Sequence, residues 1–159
     1  MKFRSLFASA ALVAVAAPAF ASSLGNPDTY VVNFRNDDAA ESTVLDANIR
    51  AALAAAGVNA EEVVIDTSTD AGWEKGAHEA FDRDIVPLFN KWVGLPGFAA
   101  IVDARTKRVI SCVNSKHSVS EIASEIRTKT QMAAGRAVKI DASVSIKTTE
   151  CPPAHNAGH

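Results

Sequence analysis

Apolar residues along this chain change period several times, and the order of those changes leaves few folds open. Thr29-Tyr30-Val31-Val32-Asn33-Phe34-Arg35-Asn36 is rich in aromatic and β-branched types and reads as a strand. Asn36-Asp37-Asp38 breaks it, and Asp38 with Glu41 has capping-box spacing. A helix is predicted to run from there to Ala56, with Val44, Leu45, Ile49, Ala52, Leu53 and Ala56 on one stripe and Gly57 at its end. Glu62-Val63-Val64-Ile65-Asp66 is a short apolar run that suits a buried parallel strand. From Gly72 the helical period returns in Trp73, Ala77, Phe81 and Ile85, and Pro87 predicts a kink or a division into two helices.

After Gly94-Leu95-Pro96-Gly97 come two strands, Phe98 to Asp103 and Arg108 to Asn114, close enough in sequence to form an antiparallel hairpin. Ser118 and Glu121 make a second capping box, ahead of Val119, Ile122, Ala123 and Ile126 at helical spacing. Past Gly135, Val138, Ile140, Ala142, Val144 and Ile146 alternate with polar residues, the pattern of a half-exposed edge strand over 136–147. Residues 148–159 read as a flexible tail. Parallel strands joined by a helix need a right-handed crossover, and the hairpin adds antiparallel strands to the same sheet. The expected fold is α/β, a three-layer α/β/α domain over 28–132 with an appended C-terminal edge strand.

The first 21 residues stand apart. Met1-Lys2-Phe3-Arg4 is basic, Leu6 to Ala17 is apolar but short of the roughly 20 residues that span a bilayer, and Pro18-Ala19-Phe20-Ala21 ends in Ala-x-Ala. These are the parts of a secretory signal peptide, so a periplasmic or secreted protein is expected, with no membrane insertion after cleavage. Of 16 Lys and Arg against 18 Asp and Glu, cleavage removes Lys2 and Arg4, which takes the net charge from −2 to −4. An acidic chain of this kind is not expected to bind nucleic acid.

The predicted element order resembles the thioredoxin fold. Gly94-Leu95-Pro96 ahead of Phe98-Ala99-Ala100-Ile101-Val102 stands where that family carries a cis-proline before its third core strand, so the resemblance implies a cis bond before Pro96. It also implies Cys-x-x-Cys at the start of the first helix, where the helix end lowers a thiol's pKa for attack on a disulfide. This chain has Ala39-Ala40-Glu41-Ser42 there. A serine hydroxyl forms no disulfide, so the family's dithiol exchange is excluded and no enzymatic activity is expected. What the resemblance leaves is recognition. Asp37, Asp38, Glu41, Ser42, Leu95 and Pro96 would line a groove for a protein or peptide partner.

Cys112 and Cys151 are the only cysteines. In an oxidising compartment they most simply form one structural disulfide, with a buried Cys112 and a separately reactive Cys151 as the alternative. The tail also spaces Cys151, His155 and His159 as Cys-x3-His-x3-His, a ligand set soft enough for copper or zinc. Periplasmic copper binding or delivery is therefore the alternative function; the disulfide and the metal compete for the same sulfur. His78-Glu79-Ala80-Phe81-Asp82 approximates a zinc-protease helix with Asp in place of the second His, and it reads as a solvated face. His117 reads as a loop residue, and Trp73 and Trp92 as packing residues.

Overall fold

Alternation along the first strand divides the interior in two. The computed structural model describes residues 25–138 and 150–154, and within them the elements run β1 (Thr29–Arg35), α1 (Ala40–Ala56), β2 (Ala60–Asp66), α2 (Asp70–Asp82), α3 (Val86–Trp92), β3 (Phe98–Asp103), β4 (Val109–Asn114) and α4 (Val119–Ala133). Tyr30, Val32 and Phe34 point to one side of the sheet and pack with Val63, Ile65, Phe98, Leu88, Phe89 and Trp92. Val31 points to the other, against Leu45, Ile49, Ala52, Ile122 and Ile126. Helices α2 and α3 thus cover one face and α1 and α4 the other, a three-layer α/β/α arrangement. Strand order is β2-β1-β3-β4, with β1 parallel to β2, antiparallel to β3, and β3 antiparallel to β4.

Local sequence accounts for several boundaries. Ser118 and Glu121 form the expected capping box at α4, and Gly57 ends α1 in the left-handed region at φ 61°. The β3–β4 turn is closed by Asp103, whose carboxylate accepts the backbone N–H groups of Arg105 and Thr106, each at 2.9 Å. The helical run from Gly72 divides in two, as Pro87 allows. The break falls ahead of the proline, at Arg83–Ile85, with Asp84 at φ 56° and Pro87 in the first turn of α3.

Four expectations are corrected. The cap of α1 is Ala39, with no side-chain hydrogen bond, so Asp38 and Glu41 form no capping box; the Asp38 backbone N–H instead takes the Asn36 side-chain oxygen at 2.9 Å. The buried stripe of α1 contains Ser42 and Asp46 and excludes Val44, which is 52% exposed. Phe81 is 74% exposed rather than buried with Ile85, because the helix carrying it ends before Ile85 turns inward. No cis peptide occurs among the described residues, so the bond before Pro96 is trans. Gly94 and Gly97, at φ 85° and 87°, reverse the chain there, and the Gly97 N–H donates to the Phe34 carbonyl at 3.0 Å.

Cys112 and Cys151 are joined by a disulfide. The segment containing Cys151 was expected within the tail, yet it is pinned to the core: Cys151 packs against the Phe34 side of the sheet, and the Trp92 indole N–H donates to the Pro152 carbonyl at 3.0 Å. The segment expected to be a signal peptide (1–21), most of the segment expected to be an edge strand (136–147), and His155 and His159 lie outside the described residues.

Candidate functional site

In sheets with parallel strands, ligands gather beyond the strands' carboxyl ends, where loops diverge to opposite faces. Here β1 leads to α1 on one face while β2 leads to α2 on the other. The turn 36–39 and the loop 67–69 are stitched together at that end. Asn36 Nδ2 donates to the Thr67 carbonyl at 3.3 Å, and the Asp37 N–H donates to Ser68 Oγ at 2.8 Å.

Beneath these loops lies a polar floor on the α1 side of the sheet. Asn33, 1% exposed, donates through Nδ2 to Asp46 at 2.7 Å and to Glu62 at 3.2 Å. Two residues further along the same strand face, Arg35 pairs with Asp37, with Asp46 at 3.1 Å and with Asp66 at 3.5 Å. Those carboxylates, foremost Asp37 as acceptor of the Arg35 hydrogen bond, hold the Arg35 guanidinium above its ordinary pKa against the opposing effect of burial. Burial pushes the Glu62 carboxyl up, and the Asn33 hydrogen bond only partly offsets it. Burial acts the same way on Asp66, but the Ser68 hydroxyl and N–H, with Arg35, outweigh it and hold that carboxyl below its usual range. Arg35 is thus spread over three carboxylates and Arg50 reaches Asp46 at 3.9 Å, so with Glu62 two guanidinia face four carboxyl groups, and the end of the sheet carries surplus negative charge.

The residues expected to line a groove are distributed around this floor. Asp37, Asp38 and Glu41 are exposed at the rim. A Cβ placed on Gly97 would lie 3.4 Å from Glu41 Cβ, so the Leu95–Gly97 loop stands directly beside the start of α1. Pro96 is exposed there and Leu95 is half-buried against the core of Trp92. Ser42 departs from its expected role: it is 1% exposed, and its Oγ accepts the Asn36 N–H at 3.1 Å, which makes it a brace for the turn. Asn33, Arg35, Asp46, Glu62, Asp66 and Ser68 were missed by sequence reasoning. Their signal was two polar residues at i, i+2 within an otherwise apolar strand, which marks one face of it as polar.

The other sequence candidates do not join this end. Cys151 commits its sulfur to the disulfide, so it offers no thiolate to a metal, and no group of three or more His, Cys, Asp or Glu able to hold a metal is found among the described residues. His78 and Asp82 are exposed on α2, while Glu79 pairs with Arg83 at 2.5 Å. His117 is buried and bonds to Asn114 through Nδ1. At the opposite end of the sheet a cleft of about 440 Å³ lies between Asp28, Asp103, Arg105 and Met132. Its two carboxylates already serve the β3–β4 turn and Arg136. No helix among the described residues is long and apolar enough to cross a membrane.

No family model and no curated protein matches the chain. Among solved structures, a glycerol dehydratase reactivase aligns at 16% identity with a TM-score of 0.38, covering 71% of this chain and 96% of that one. A likeness that loose carries no argument about fold or function.

Proposed function

We propose that the chain is an exported, thioredoxin-like protein without the family's dithiol chemistry, acting as a binding module for a protein or peptide partner. The observation that carries this reading is the start of α1. Where a thiol pair would stand, Ala39-Ala40-Glu41-Ser42 offers no sulfur, and Ser42 is committed to the Asn36 N–H. The strand order β2-β1-β3-β4 supports the thioredoxin-like reading, while the trans bond before Pro96 departs from it and moves the weight from the proline to the acidic rim. Asp37, Asp38 and Glu41 face solvent beside a guanidinium already shared among carboxylates, so the complementary partner is an extended segment bearing Lys or Arg.

Fluorescence anisotropy with matched Lys/Arg-rich, Glu-rich and uncharged peptides tests this. The basic peptide is expected to bind tightest, more weakly as salt rises, and about tenfold more weakly to an Asp37→Asn/Asp38→Asn/Glu41→Gln variant. Equal binding of all three peptides, or full affinity in that variant, overturns the reading.

A further inference from the structure

The two sulfurs of the disulfide sit in unlike surroundings. Cys112 lies on β4 inside the core and is 2% exposed. Cys151 is partly exposed, on a segment, 150–154, that has no helix or strand. That segment's polar and covalent ties among the described residues are two: the disulfide, and the hydrogen bond from Trp92 Nε1 to the Pro152 carbonyl. Among the described residues, opening the disulfide therefore breaks no sheet ladder and no helix. Trp92 itself is fully buried against Phe34 and Phe98, with ring centroids 5.9 and 5.5 Å away, and Leu95 packs on the same core.

We propose that the Cys112–Cys151 disulfide is a thiol–disulfide exchange site whose substrate is a dithiol, and that its opening releases segment 150–154 from Trp92. A thiolate of the dithiol attacks Cys151 Sγ, the accessible sulfur. The S–S bond breaks with its electron pair leaving on Cys112 Sγ, which takes up a proton. The dithiol's second sulfur, as thiolate, then displaces Cys151, which is protonated in turn, and the reagent departs as its own disulfide. Two electrons and two protons pass to the protein, and a disulfide oxidant reverses the sequence. The protein receives reducing equivalents here rather than turning over a substrate at α1. Release strips the Trp92 indole N–H of its acceptor and uncovers apolar surface of the core on which Leu95 also packs.

The oxidised protein is equilibrated with graded ratios of reduced and oxidised dithiothreitol, quenched with iodoacetamide and mapped by peptide mass. Glutathione, a monothiol, is used in parallel with an acid quench to mark the attacked sulfur. Cys151 is expected to alkylate while the far-ultraviolet circular dichroism is unchanged, the buried Cys112 to alkylate once the quenched protein is denatured, and glutathione to be found on Cys151. In Trp73→Phe, where Trp92 alone reports, emission should shift to the red on reduction and return on reoxidation. Thiols that appear only as the dichroism is lost, glutathione on Cys112, or Trp92 emission indifferent to reduction would each overturn the proposal. A Cys112→Ser/Cys151→Ser variant should fold with reduced-state emission and ignore dithiothreitol. If it unfolds or keeps oxidised-state emission, the disulfide is a staple and the proposal fails.

Discussion

Asp46 and Val44 exchange the places that their chemistry suggests, and the exchange explains the polar floor. Asp46 is 5% exposed because Asn33 and Arg35 on the sheet beneath supply its hydrogen-bond donors. Asp46→Ala leaves those donors short of an acceptor and should cost about 2–4 kcal/mol in urea unfolding. Val44→Ala, on the exposed side of the same helix, should stay within about 0.5 kcal/mol. Glu62 gives the floor a pH signature. Its carboxyl, raised by burial above the ordinary value of 4.5, takes its proton in the folded chain before it does so unfolded. The contribution of this group to stability therefore grows as pH falls from the raised value to 4.5, below which the gain is complete. Asp66, held below 3.8, contributes in the opposite sense: its stabilisation is present above 3.8 and lost as pH falls through the lowered value. In Glu62→Gln the acid-side gain should vanish from a series of urea midpoints, while the loss at lower pH remains.

At the scale of elements, helix ends separate what is written locally from what is not. The α4 box was legible because Ser118 and Glu121 satisfy each other within one turn. Ser118→Ala should lose about 1 kcal/mol in thermal unfolding. The α1 start offered similar letters, Asp38 and Glu41, yet Asn36 engages the Asp38 N–H and the helix begins one residue late, on uncapped Ala39. Ala39→Ser, at a position with extended backbone, should add about 0.5–1 kcal/mol. The α2–α3 boundary was readable only as a choice between a kink and two helices. A left-handed Asp84 decides for two, and Phe81 is left outside as a consequence.

The whole molecule is two cores on one sheet, with a covalent tie from β4 to the last described segment. Closing a loop with sequence separation 39 stabilises by roughly 3–4 kcal/mol in the chain-entropy account. Reduction should lower the urea midpoint by a corresponding amount while a cooperative transition persists, because segment 150–154 adds only Cys151 to the core on the Phe34 side and nothing to the other. Loss of cooperativity would show that the segment 150–154 is integral to the Trp92 core.

The order of hydrophobic periods determined the succession of strands and helices from β1 to α4 and the three layers they must form, and residue identity alone determined the absence of sulfur from residues 39–42. Each of these depends on side chains close together in the chain or on their simple identity. Only the tertiary structure decided that Asp46 turns inward, that the bond before Pro96 is trans, that Ser42 braces a turn, and that Cys151 sits beneath Trp92's reach. Those outcomes rest on partners brought from distant elements, where burial makes an unmatched donor or acceptor costly and so selects the one arrangement that matches most of them.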